Sequence, residues 1–225
     1  MGRHVMNTIV FYIRERDMMN KRIYVMADSM RVGKTTAVKV LAEGLRMHGY
    51  TVTESYEDWK HNPYLAQSYS DPAKNFLESQ KWFAHRKWEQ VRDGSSQGGI
   101  FIQDVAPEMD YNYAETNRRL GRMSKKDFAE YDQFYRGLGW ERVIPPDLIV
   151  YLEVSDEGLI RRALDSAREF ETVAPEYYLM MKKVNREWLK HNKNNVVMVD
   201  TDKLDFAHEE KDKVELTNII LYQIN

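Results

Sequence analysis

Residues Lys21–Leu41 read KRIYVMADSMRVGKTTAVKVL. Ile23 to Ala27 form a short apolar run, the pattern of a buried strand. A polar turn follows. Gly33-Lys34-Thr35-Thr36 then opens a segment with Val38, Val40, Leu41 and Leu45 along one side at helical spacing. Strand, turn, Gly-Lys-Thr and helix in that order are the layout of a phosphate-binding loop. Backbone N–H groups at a helix N-terminus lack internal partners and carry partial positive charge, so they hold phosphate oxygens. On this reading Gly33, Lys34, Thr35 and Thr36 bind a nucleotide. Lys34 reaches its outer phosphates and the Thr35 hydroxyl ligates Mg²⁺. The pattern G-x-x-x-x-G-K-[ST] asks for glycine where Asp28 stands. That carboxylate adds negative charge beside a polyanion, and Arg31 is the expected counter-charge. The competing reading is a chance Gly-Lys-Thr on an ordinary helix.

Composition narrows the rest. A chain of 225 residues that is 43% hydrophobic can build one generous core. A net charge of −2 gives no broad basic surface, which argues against nucleic acid as a partner. The absence of cysteine excludes disulfides, thiolate metal sites and cysteine nucleophiles, and fits a reducing, cytoplasmic setting. No apolar run approaches the ~18 residues of a membrane span. Arg14, Glu15, Arg16 and Asp17 interrupt the apolar Ile9–Ile13 stretch, so the N-terminus lacks a leader pattern. Residues 1–20 read as an extension of unknown role before a single domain over 21–225, with Met6, Met18 and Met19 as alternative starts.

Further along, the chain alternates helical and strand patterns, which predicts a parallel sheet with helices on both faces. Ligands in such sheets sit beyond the carboxyl ends of the strands. Carboxylates stand at several of those ends, Glu54 and Asp104 among them. Gly49–Glu54 ends at Glu54, followed by Ser55-Tyr56-Glu57-Asp58-Trp59, and Ile100–Ile102 runs on to Asp104. A carboxylate at a strand end beside a tryptophan suits a base for a sugar hydroxyl and a stacking wall, although an acidic turn with Trp59 as a core plug reads the same. Asp104 is placed to bind Mg²⁺ directly or through water. A helix over 73–93 sets Phe76, Gln80, Phe83 and Lys87 on one stripe. Helices follow over 107–120 and 124–138, and the latter opens on Ser124-x-x-Asp127 in the manner of a capping box. Asp147–Glu153 is a strand. Ser155 caps a helix carrying Arg161, Arg162 and Arg168, which suit charge on a transferring phosphoryl group or, equally, a solvated face. A helix over 175–192, a strand over 196–199 and a C-terminal helix complete the pattern.

The order of these pieces resembles the deoxyribonucleoside kinases, over roughly Lys21 to Asp200. Glu54-Ser-Tyr-Glu-Asp-Trp59 is similar to the family's E-P-V-x-x-W. Tyr69-x-x-Pro72 through Phe76 to Gln80 matches the stretch that holds a sugar tyrosine and a base-reading glutamine. Asp104-Val-Ala-Pro-Glu-Met-Asp110 falls where the family has D/E-R-S-x-x-x-D. Arg162–Glu171, RALDSAREFE, is similar to the family's arginine-rich lid, here at about 161–172. The departures are Asp28 and Arg31 for loop glycines, Ser55 and Tyr56 for Pro and Val, Val105 for the arginine of D-R-S, and Ser166 for a lid arginine.

The resemblance implies a three-layer α/β P-loop kinase with a five-stranded parallel sheet, transferring the γ-phosphoryl group of ATP to the 5′-hydroxyl of a deoxynucleoside. It implies Glu54 as base, with Lys34, Arg162 and Arg168 on the phosphates and Thr35 and Asp104 on Mg²⁺. Gln80 and Asp110 are implied to read the base with Trp59 packed near it, and Tyr69 with Glu171 to hold the 3′-hydroxyl. It also implies a homodimer. Two alternatives stay open at this point: a catalytically impaired nucleoside- or nucleotide-binding relative, and a nucleoside monophosphate kinase of the same fold.

Overall fold

The structure is a computed structural model that describes residues 20–166, 174–192 and 195–224. Five parallel strands make one sheet: β1 (Lys21–Ala27), β2 (Val52–Ser55), β3 (Ile100–Asp104), β4 (Leu148–Glu153) and β5 (Val196–Asp200), in the order β2-β3-β1-β4-β5. The expected α/β architecture is present. Parallel pairing needs a crossover between neighbours, and helices supply it. These are α1 (Lys34–Met47), α2 (Leu65–Ser70), α3 (Pro72–Ser95), α4 (Pro107–Arg119), α5 (Lys125–Gly137), α6 (Asp156–Asp165), α7 (Pro175–His191) and α8 (Glu210–Ile224). None among the described residues is long and apolar enough to cross a membrane.

Burial follows strand position. β3 is buried throughout and β1 from Arg22 onward, whereas β2 and β5, the edges, are only partly covered. A central strand of a parallel sheet is covered on both faces, which is why Ile23–Ala27 and Ile100–Ile102 are continuous apolar runs rather than alternating ones. Val25 pairs with Asp104 across β1 and β3, so the end of β3 and the start of the Gly-Lys-Thr loop lie at the same edge of the sheet.

Helix starts agree with their caps. The Ser155 hydroxyl accepts the Gly158 N–H at 3.1 Å, and the Ser124 hydroxyl accepts the Asp127 N–H at 3.0 Å while donating to the Asp127 carboxylate. Three features have no counterpart in the sequence pattern: the short helix α2, which carries Tyr69, and 3₁₀ turns at Trp59–His61 and Trp140–Arg142. A second apolar cluster, Phe76, Ala84, Ala114, Met123 and Tyr131, joins α3, α4 and α5 away from the sheet. The Tyr111 ring meets Phe128 edge-on at 5.8 Å within it, and the cluster fixes the helix that carries Gln80.

Candidate active site

The loop between β1 and α1 borders two cavities. Gly33 sits at φ 107°, a conformation that L side chains rarely adopt, and so lets the backbone turn into α1. On one side lies a cavity of about 250 Å³ lined by Lys34, Thr35, Glu57, Tyr69, Gln80 and Asp104, with Leu65, Phe76, Phe83, Tyr113 and Tyr177 as its apolar walls. On the other lies a cavity of about 880 Å³ reached by Arg161, Arg162 and Phe206. Arg31, Gly33 and Thr36 line both.

Lys34 is buried, and its ammonium donates to the Ser29 carbonyl at 3.0 Å. Burial pulls its pKa down, against the pull of Asp104 and Glu57. The Thr35 hydroxyl donates to Asp104 Oδ2 at 2.6 Å, while Asp104 Oδ1 is buried without a hydrogen-bond partner. Lys87 holds the backbone here: 2% exposed, it donates to the Asp104 carbonyl at 3.0 Å. Its place on the α3 stripe was visible in the spacing, but its bond to the end of β3 was not.

Asp28 does not enter the loop's cradle. Its carboxylate, fully buried, turns to α7 and β4, where Arg186 grips both oxygens. The Tyr151 hydroxyl donates to Oδ1 at 3.0 Å and the Val154 N–H to Oδ2 at 3.0 Å. Arg186 also reaches Glu153 at 3.1 Å. The expected counter-charge, Arg31, is therefore corrected to Arg186. Asn185 donates to the Asp28 carbonyl at 3.0 Å and accepts from Asn112 at 2.8 Å, and the Ser29 hydroxyl donates to the Tyr178 carbonyl at 3.2 Å. Thus α7 braces the first turn of the loop at three points, and the Asp28 carboxylate is held away from the cradle.

Glu54 is not brought to either cavity. It faces α1, where Arg46 donates to one carboxylate oxygen at 2.9 Å and the Tyr56 hydroxyl to the other at 2.5 Å. β2 ends at Ser55, and the chain turns before the next carboxylate, so Glu57 lines the smaller cavity instead. Trp59 is likewise absent from the walls; it sits in the 3₁₀ turn, with the Lys60 ammonium 5.7 Å from its ring.

Tyr69 and Gln80 both line the smaller cavity, and Gln80 Oε1 is buried without a partner. Asp110 is buried near Lys87, Glu57 and Tyr113 rather than on the wall. Both of its oxygens lack partners, and burial pushes its pKa up to about 7. Arg162 donates to the Thr201 hydroxyl and carbonyl at 2.8 and 2.7 Å and to the Val32 carbonyl at 3.3 Å, which fixes it against the loop on the larger cavity's side. Arg168 and Glu171 lie outside the described residues.

Residues 25–224 match the model of the deoxynucleoside kinase family. The deoxyadenosine/deoxycytidine kinase of Bacillus subtilis (strain 168) is 29% identical over 74% of this chain and 75% of its own. The deoxyguanosine kinase of Lactobacillus johnsonii is 22% identical over 90% and 92%. In fold, the chain is similar to the deoxyadenosine kinase of M. mycoides with bound dCTP, at a TM-score of 0.72 and 24% identity, covering 89% of this chain and 98% of that one. With its loop braced between two cavities and a match along nearly all of the described chain, the protein belongs to the deoxynucleoside kinase family.

Proposed function

We propose that this kinase transfers the γ-phosphoryl group of ATP to the 5′-hydroxyl of a deoxynucleoside seated in the smaller cavity, with the triphosphate reaching the loop from the larger one. One observation carries the reading. A single Gly-Lys-Thr loop borders both cavities, and Lys34 and the Glu57 carboxylate face the acceptor side. Glu57, rather than Glu54, is the base: it takes the hydroxyl proton as the oxygen forms its bond to the γ-phosphorus. The bond from phosphorus to the β–γ bridging oxygen breaks, and its electron pair leaves with ADP. Lys34, Arg162 and Arg168 hold the phosphates. Tyr69 and Glu171 hold the 3′-hydroxyl, and Gln80 reads the base; Asp110, buried behind the wall, is not placed to touch it.

Thr35 and Asp104 are the proposed Mg²⁺ ligands. The donor set fits, because Asp104 Oδ1 is buried without a partner next to a hydroxyl that points at the same carboxylate. Magnesium binds through one or two protein oxygens plus phosphates, and when bound it neutralises charge on the β- and γ-phosphates. We further propose a cytoplasmic homodimer, on the strength of the family's helix-mediated dimers and the cysteine-free composition.

Labelled ATP with each of the four deoxynucleosides tests the reaction. Glu57→Gln is expected to lower kcat by roughly 10²- to 10⁴-fold, with Glu54→Gln nearly wild type. Full activity in Glu57→Gln together with an inactive Glu54→Gln would return the base to Glu54. No product from any of the four would remove the reading.

A further inference from the structure

We infer that Arg31 is a catalytic residue of this kinase, its guanidinium meeting the phosphoryl group in flight between the two cavities. The inference rests on the phosphotransfer reading above and goes beyond it, since that reading places only Lys34, Arg162 and Arg168 on the phosphates.

Position is the first argument. Arg31, Gly33 and Thr36 line both cavities, and of the three only Arg31 is charged. A group that touches acceptor and donor spaces alike stands where the transferred phosphoryl must pass. Charge is the second. The described lining of the acceptor cavity holds two carboxylates, Glu57 and Asp104, and two cations, Arg31 and Lys34. Lys34 already donates to the Ser29 carbonyl, and the Arg31 charge is close enough to work against its ammonium. The planar fork of a guanidinium matches phosphate oxygens in a way an ammonium does not.

Conformation is the third argument. Arg31 has φ 64°, in the left-handed region that a glycine occupies without cost. A side chain kept there against that cost is the pattern of a functional loop. Neutralising Asp28 does not explain it, because Arg186, Tyr151 and Val154 already satisfy that carboxylate.

The conformation also makes the test clean. Arg31→Gly relieves the backbone, so folding should not suffer, whereas the chemistry should. The full chain and Arg31→Gly are compared by rapid-quench single-turnover assay with ATP, Mg²⁺ and the best deoxynucleoside, beside thermal unfolding. The expected result is a fall in kcat of about 100-fold or more, KM for the deoxynucleoside within about threefold, an unfolding midpoint no lower than wild type, and partial recovery in Arg31→Lys. An unchanged kcat overturns the role. So does a rise in KM for ATP at constant kcat, which would make Arg31 a ground-state anchor, or a loss of rate that tracks a loss of folded protein. A wild-type chain inactive with all four deoxynucleosides would instead remove the phosphotransfer reading, and this role with it.

Discussion

Arg186→Met puts the brace between α7 and the phosphate loop to a quantitative test. The substitution keeps the aliphatic stem and deletes the guanidinium that holds both oxygens of Asp28, a carboxylate with no exposed surface. Breaking a buried pair by removing one partner costs about 3–5 kcal/mol, because the remaining charge is stranded. Two features reduce that here. The Arg186 side chain is 34% exposed, so solvent already screens part of the pair. The Tyr151 hydroxyl and the Val154 N–H also stay on the carboxylate. We expect about 2–3 kcal/mol, or a fall of roughly 5–10 °C in the unfolding midpoint for a chain of this length. Asp28→Gly combined with Arg186→Met should recover part of that loss, since the stranded carboxylate is gone while the Tyr151 hydroxyl and the Val154 N–H lose their acceptor, and the double-mutant cycle should return a coupling of about 2 kcal/mol. Guanidinium unfolding followed by circular dichroism, with equal slopes across the four proteins, is the measurement. The reasoning fails if Arg186→Met costs under about 0.5 kcal/mol, or if the double variant is no more stable than the single one.

The remaining predictions concern pH and packing. Burial raises the Asp110 pKa to about 7. The folded state therefore holds this proton more tightly than the unfolded chain, whose aspartates titrate near ~3.9. Its contribution is whole below pH ~4 and is lost as pH rises through ~7. Asp110→Asn should flatten the decline in unfolding midpoint between pH ~4 and ~7, and an equally steep decline in the variant would assign the titration elsewhere. Lys87→Met, which removes the neighbouring cation that holds this pKa down, should move the decline to higher pH in the same scan. Gly44→Ala should destabilise although it places alanine in a helix. A Cβ there would overlap the Thr217 hydroxyl and stand 2.6 Å from Thr217 Cγ2, where α1 meets α8. Overpacking of that kind costs about 1–3 kcal/mol; a stability gain, the usual effect of Gly→Ala in a helix, would show that the two helices can part there.

The elements and much of the site were readable because their causes are local. Apolar continuity over Ile23–Ala27 and Ile100–Ile102 marks central strands, serine caps mark helix starts, and Gly33-Lys34-Thr35 carries its own loop geometry. Tyr69 and Gln80 came out together because α2 and α3 run almost without a break between them. Glu54 and Glu57 lie three residues apart in one acidic stretch, and no local signal separates them. The choice depends on where β2 stops pairing with β3 and on Arg46 of α1 waiting for the first carboxylate. Asp28 is the sharper case. Sequence pattern alone sets it down as a charge intruding on a phosphate site, and its partner Arg186 is 158 residues away. A backbone run decides its own hydrogen-bond period within a few residues, but a side chain's charge is settled by whatever the finished fold brings against it, and that is known only once α7 has docked on the sheet.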